Sequence, residues 1–502
     1  MHSSLNRRQF LSVSALALTA VGLAGCTSTT KKTTSFVRPD SAAVTAAEAK
    51  RRRTGTVVQR ALTAQAVTLD LGGKMAKTWA YRGASATEPL RGNVGDTLKI
   101  ALTNDLPDPT TVHWHGLALR NDMDGVPSLT QEPIQPSGSF DYEFTLPEPG
   151  TFWFHPHVGT QLDRGLYAPL IIEDPNEKAD YDKEWVIVLD DWLDGVTATP
   201  DEVFAELEKG MMDHGGMDMG PMRMGNTLMG ATSPLLGGDA GDVYYPLYLI
   251  NGKPANDPQT FAAKPGEKIR LRVINAGGDT AFRFGVAEHQ LTLTHADGFP
   301  VEPHEAESVV LGMGERYDAV ITAGDGAFAV VAEALGKQDQ ALAVLRTASG
   351  SAPSKDAKLP QTKSPATAAD LRAASEAALP KRGVDRTLAL ELTGGMEKYD
   401  WAINGKRMDM EQPMRDALGI AEGERIALEF KNSTTMWHPM HLHGHTYQHP
   451  GGGPRKDTSI VLPGKTLRVE FDADNPGRWL AHCHNVYHGE AGMMAAIAYQ
   501  KN

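Results

Sequence analysis

The stretch His482-Cys483-His484-Asn485-Val486-Tyr487-His488-Gly489-Glu490-Ala491-Gly492-Met493 places five metal-ligand side chains in twelve residues. In extended backbone successive side chains alternate, so Cys483 faces one way and His482 and His484 the other. A cysteine thiolate with histidine and a distant methionine is the ligand set of a blue-copper electron-transfer site. The two histidines aimed away from it would hold a second metal one residue along the backbone. A strand built this way is a short electron conduit.

Three more His-X-His pairs test that reading: His113/His115 in HWHG, His155/His157 in FWFHPHV, and His441/His443 in HPMHLHGH, where His438 precedes His441 by three residues. With His488, these motifs hold 10 of the 17 histidines. Residues i and i+2 share one face of a strand, so both rings of a pair reach a common cluster. One pair alone could be structural or solvated. Four pairs, one of them enclosing a thiol, form a metal-binding pattern. Cysteine usage agrees, because the chain has two cysteines. Cys26 lies in Leu23-Ala24-Gly25-Cys26, which looks like a lipobox, and Cys483 is left without a disulfide partner.

The set resembles the multicopper oxidases, and the likeness runs over nearly the whole chain beyond its leader. The resemblance implies an all-β fold of three cupredoxin-like Greek-key β-sandwich domains and four copper ions, one type 1, one type 2 and a type 3 pair. Type 1 copper would take His438, Cys483 and His488, with Met493 as the weak axial ligand. Type 2 copper would take His113 and His441, and the type 3 pair His115, His155, His157, His443, His482 and His484. No ligand position is missing, which argues against copper-free relatives, and the two-domain nitrite reductases lack these pairs. Single electrons accepted at type 1 copper would pass through Cys483 and, four at a time, reduce dioxygen to two waters. Asp124, nine residues past His115, aligns with the family's acid near the cluster and is the proton-relay candidate. Glu490 is the second, displaced by Gly489 from the place after His488 where many relatives carry an acid.

Alternating strands, Pro/Gly turns and little helical periodicity point to β-sandwiches independently. A repeat supports three of them: Gly95-Asp96-Thr97-Leu98-Lys99-Ile100, Gly266-Glu267-Lys268-Ile269-Arg270-Leu271 and Gly423-Glu424-Arg425-Ile426-Ala427-Leu428 each read as a turn entering a half-buried strand. Pro149-Gly150 also precedes His155 by the interval that separates Pro476-Gly477 from His482. The expected organisation is a signal peptide at 1–25, a flexible tether at 26–55, domain one at 56–178, domain two at 179–347, a linker at 348–386 with a short helix at 368–378, and domain three at 387–502. Ligands fall only in the first and third domains, so the dioxygen site must lie between them.

Arg7-Arg8-Gln9-Phe10-Leu11 resembles a twin-arginine export signal, and the apolar run after it is too short to span a bilayer. Cleavage before Cys26 would leave a lipid anchor at the cell envelope, in the periplasm or on the outer face of the membrane. Net charge is −13 and no basic patch suits nucleic acid, Arg51-Arg52-Arg53 reading as a solvated run; a monomer is expected.

The reductant is indicated by a segment in domain two, the insertion 211–229. It holds Met211, Met212, Met217, Met219, Met222, Met224 and Met229, with His214 and repeated glycines among them. Glycine this dense holds no helix, and soft thioethers select Cu(I). Met436, two residues before His438, could bring Cu(I) to the type 1 site, although Thr434 stands where cuprous-oxidising relatives carry an acid. Met493 as axial ligand implies a lower potential than an apolar residue there, favouring easily oxidised donors. The leading expectation is a Cu(I) oxidase of the copper-tolerance branch. Phenols, as in a laccase, and Fe(II) are the alternative donors; a copper-storage or chaperone protein is the non-enzyme alternative, and it would need no dioxygen site.

Overall fold

A computed structural model describes residues 35–177, 180–210, 221–361 and 363–501. Cys26, Met211, Met212, His214, Met217 and Met219 lie outside them, as does the twin-arginine segment. Each repeat found in the sequence opens a strand, Thr97–Asp105, Lys268–Asn275 and Arg425–Asn432. Each of these lies parallel to an earlier strand, Val57–Asp70, Lys183–Trp192 and Arg386–Thr393 respectively, so one crossover recurs three times. The sheets stack as three sandwiches: four strands on four, seven on five, and six on five.

Burial along these strands departs from the half-buried expectation in two of the three. Thr97–Asp105 alternates as read, Arg425–Asn432 is buried on both faces as far as Leu428, and Lys268–Asn275 is buried on both faces beyond Lys268. Its outward side chains Arg270 and Arg272 are charged, and each is neutralised in place, Arg270 by Asp318 at 2.7 Å and Arg272 by Glu184 at 2.7 Å. Trp114, Phe144, Phe152 and Phe154 fill the first sandwich, whereas the second and third share one continuous core running from Ile187 to Tyr499. Among the described residues no helix is long and apolar enough to cross a membrane.

The stretch read as a flexible tether is docked from Phe36 onward. Phe36 bridges Gln500, the Val37 amide donates to the Tyr499 carbonyl, and Ala42–Ala49 is a helix with Val44 buried. Buried Glu48 explains the docking: its carboxylate accepts from the Thr145 amide at 3.0 Å and hydroxyl at 2.6 Å, and pairs with Arg51 and Arg53. Arg51 is therefore not a solvated charge. Glu48→Ala strands these donors, at about 1–3 kcal/mol. Trypsin cleavage at Arg51 to Arg53 should then accelerate roughly 5- to 150-fold, because cutting tracks the open population; an unchanged rate would show that Glu48 does not hold the arm.

The expected helix at 368–378 is also absent. A single 3-10 turn, Ala368–Asp370, ends where Leu371 becomes extended and fully buried, and Ala373 then bridges Val301. The apolar residues that suggested a helix instead fill and edge the second sandwich.

Candidate metal centre

The strand His438–Leu442 pairs antiparallel with Arg478–Cys483, setting Met440 opposite Cys483 and His441 opposite His482. The strand stops at Cys483, one residue short of the extended reading, and the His484 amide is held by the Pro439 carbonyl at 2.7 Å. The division into two faces nevertheless holds, with Cys483 grouped with His438 and His488, and His482 with His157 and His443.

On the cysteine side, Sγ lies 3.6 Å from His438 Nδ1 and 3.8 Å from His488 Nδ1, and these nitrogens are 3.1 Å apart. Ligands bound at about 2.0–2.3 Å to one ion sit roughly 3–4 Å from each other, so the spacing suits a single small cation. The far ring nitrogens are tied down: His438 Nε2 meets Thr434 Oγ1 at 2.8 Å, the hydroxyl itself donating to Asn432 Oδ1, and His488 Nε2 donates to Asp242 Oδ2 at 3.0 Å. Both Nδ1 lone pairs are thereby left to face sulfur. The Asn485 side chain caps the helix Val486–Glu490 by accepting from the Tyr487 and His488 amides. Met493 is fully buried, its carbonyl accepting from the Cys483 amide at 3.0 Å. Burial pushes the Cys483 thiol well above its usual range, so a thiolate here requires a neighbouring cation.

The other face gathers eight histidines from two sandwiches. The strand His113–His115 lies against Gly150–His155, with His113 opposite His155. His157 Nε2 and His443 Nε2 approach His482 Nε2 at 3.4 and 3.1 Å, and His155 Nε2 is 3.4 Å from His484 Nε2 and 3.5 Å from His115 Nδ1. His113 stacks on His443 and His441 on His115, with ring centroids 3.7 and 3.8 Å apart, and the Nε2 atoms of His113 and His441 are buried without any hydrogen-bond partner. Their Nδ1 atoms donate to the carbonyls of Asp124 at 2.9 Å and Asp457 at 3.0 Å, which leaves Nε2 as a lone pair. Burial, then crowding by other imidazoles, holds His155, His157, His443 and His484 well below the usual histidine range. Converging buried lone pairs with no donor to meet them fit bound cations.

Both acid candidates border this cluster. Asp124 Oδ2 accepts from His443 Nδ1 at 3.0 Å, and its Oδ1 is 3.2 Å from His113 Nδ1. Its place is set by Gly125, where a Cβ would sit 1.9 Å from the Val112 carbonyl oxygen. The tight turn at Gly125 thus sets Asp124 against His443 and His113. Glu490 lines a cavity of about 30 Å³ with His155, His157, His482 and His484, enough for a water-sized molecule. Burial, then the Asp201 charge, pushes its carboxyl up to about 7.

Sequence reading missed three residues here. Asp242, 2% exposed beside His488, lies in the second sandwich. Asp457 touches His115 and His441 and pairs with Arg316. Although burial opposes it, Arg316 and these histidines hold the Asp457 carboxyl well below the usual range. The one available clue was that a cluster of buried imidazoles needs carboxylate or carbonyl partners behind it; no spacing says which.

The geometry agrees with comparisons to known proteins. Profiles of the multicopper oxidase family match residues 63–177, 183–350 and 382–502. Multicopper oxidase MmcO of Mycobacterium tuberculosis is 44% identical over 499 residues, 98% of this chain and 96% of that protein. A copper resistance protein A homolog of Pseudomonas syringae pv. tomato is 27% identical over 82% of this chain and 87% of its own. The solved multi-copper oxidase of Pseudomonas thermotolerans superposes with a TM-score of 0.70 at 27% identity, covering 89% of this chain and 100% of that one. A laccase from Botrytis aclada shares the fold at a TM-score of 0.74 and 24% identity, covering 89% and 88%. Three matched segments, a near full-length relative and a buried two-centre histidine and cysteine site lead to one conclusion: the chain belongs to the multicopper oxidase family and is a laccase-like, copper-dependent oxidoreductase.

Proposed function

We propose that this oxidoreductase takes electrons from Cu(I) and delivers four of them to dioxygen, and that it serves copper tolerance. His438, Cys483, His488 and Met493 would hold type 1 copper, and His113 and His441 type 2. His115, His155 and His484 would hold one ion of the type 3 pair, and His157, His443 and His482 the other. Bound copper supplies the redox chemistry, one-electron acceptance at the first site and reduction of dioxygen to water at the second. The protein's own work is positional and protonic. The carbonyls of Asp124 and Asp457 fix ring tautomers, Asp124 and Glu490 would relay protons beside the dioxygen site, and Trp401 and Trp153 wall the two centres, their rings 4.3 Å from His488 and 4.6 Å from His155.

The observation that carries Cu(I) as donor is where the methionine segment ends. Met222–Met224 pairs with Thr227–Met229, with Met222 opposite Met229, so Met222, Met224 and Met229 share one face of a hairpin. Just beyond it Asp239 bridges Met436, Trp437 packs with Leu228 and Leu236, and Asp242 caps His488. The hairpin joins Asp242 through the Leu228 amide, Met222 and Met224 are exposed on it, and both histidines of the type 1 site are fully buried beneath Asp242 and its neighbours. A bulky phenol meets that cover, whereas a soft cation finds ligands in it. Export by the twin-arginine route and acylation of Cys26 would put the reaction at the outer side of a membrane. The names of the copper resistance relatives support the same role.

Oxygen uptake with Cu(I), Fe(II) and a phenol, at controlled free copper, is the direct test. Replacing the methionines from Met211 to Met229 with leucine should depress Cu(I) oxidation at least tenfold more than phenol oxidation, since losing even a partner behind a metal ligand costs about 10- to 100-fold. Equal losses would point instead to a broad phenol oxidase, and copper retention without oxygen uptake from any donor would point to storage.

A further inference from the structure

Arg316 comes from the second sandwich, which supplies none of the proposed ligands, yet it reaches the wall of the eight-histidine cluster. It is fully buried, and its five N–H groups meet five acceptors. Nε donates to the Thr151 carbonyl at 3.1 Å, Nη1 to the Gly314 carbonyl at 3.1 Å and Asp457 Oδ1 at 2.7 Å, and Nη2 to the Asp297 carbonyl at 3.1 Å and Asp457 Oδ2 at 2.7 Å. A rigid fork with all donors engaged leaves the carboxylate a single orientation.

Asp457 uses that orientation on two rings from different sandwiches. His115 Nε2 donates to Oδ1 at 3.1 Å, so the lone pair His115 offers the cluster is on Nδ1. His441 Nδ1 lies 3.3 Å from the same oxygen and 3.0 Å from the Asp457 carbonyl, so His441 offers Nε2. Thr458 Oγ1 stands within 3.1 Å of both rings and donates to Asp457 Oδ1. Asp297, also from the second sandwich, accepts from the amides of Asp457 and Thr458, each at 3.1 Å. The approach is close enough to restrict the chain. A Cβ on Gly116 would lie 2.5 Å from Arg316 Nη2, and one on Gly314 would lie 3.0 Å from both His115 and His484.

We propose that Arg316 and Asp457 form a positioning clamp that selects opposite ring tautomers in His115 and His441, and so presets the ligand shell shared by the first and third sandwiches. The middle sandwich is then the third wall of the dioxygen site, although it supplies none of the ligands proposed for the resident coppers. This inference rests on the ligand set proposed above. Arg316 and Asp457 are positioning residues, acting on metal only through the two histidines.

The test uses the full chain loaded with copper, as wild type, Arg316→Gln, Asp457→Asn and the double variant, which leaves neither charge alone in the interior. Copper per chain after chelator challenge, the type 2 electron paramagnetic resonance signal and the blue absorption are measured together. Copper retention at the cluster should weaken about 10- to 100-fold, the usual effect of losing a partner behind a ligand. The type 2 signal should be lost or altered while blue absorption per chain is kept. Wild-type copper retention and an unaltered type 2 signal in the variants would overturn the clamp. If the single variants lose blue absorption as well, they have misfolded, and the double variant is judged by the same two outcomes. A wild-type protein with no type 2 signal would instead sink the ligand set itself.

Discussion

Cys483→Ser is expected to remove the intense visible absorption and reduce oxidase activity with every donor to background. Cys483 is 1% exposed and packs among Met440, Met493 and Tyr487, so the exchange is small in volume and local in effect. Burying a serine hydroxyl there costs about 1–3 kcal/mol, within the total stability of an ordinary fold, and the sandwiches should persist by circular dichroism. What disappears is the soft sulfur, for which a hard oxygen is a poor substitute as a copper ligand. His482, His484 and the other cluster histidines keep their partners, so type 2 and type 3 copper should remain. A variant that stayed blue and active would show that Cys483 is not the type 1 ligand.

Asp124→Asn should have the second largest effect. The carboxylate accepts from His443 Nδ1 and lies close to His113 Nδ1, while the backbone carbonyl also holds His113. Asparagine preserves the backbone contact but supplies a neutral group whose amide cannot accept on both sides. Losing a positioned proton carrier lowers kcat by about 10²- to 10⁴-fold, whereas KM for the donor should stay the same because Asp242 and Met436 serve the other centre. Blue absorption should be unchanged, and Asp124→Glu should recover part of kcat. A kcat near the wild-type value in Asp124→Asn would remove Asp124 from proton delivery and leave it only the orientation of His443.

The parts of this protein that could be read from sequence are those whose partners are close along the chain. His-X-His pairs and the Cys483 to Met493 run declare their proposed ligands within a dozen residues, and the strand pattern after Gly95, Gly266 and Gly423 declares the sandwiches. Asp242, Asp457 and Arg316 could not be read, because Asp242 meets His488 from 246 residues away, Asp457 meets His115 from 342, and Arg316 meets Asp457 from 141. Nothing local distinguishes them from surface charges. The docked arm escaped for the same reason: Glu48 looks solvated until Thr145, 97 residues on, is brought against it. At 368–378 alanine-rich composition suggested a helix, but Leu371 contributes more by filling the core than by extending a helical turn.

The docked arm also sets a length. Had residues 26–55 all been free, the catalytic sandwiches could drift far from any lipid. With the chain fixed from Phe36, ten peptide units separate it from Cys26, and they can extend at most about 33–36 Å. Acylated at Cys26, as proposed, the protein would work on a short leash, oxidising copper in a thin layer against the bilayer and not throughout the compartment.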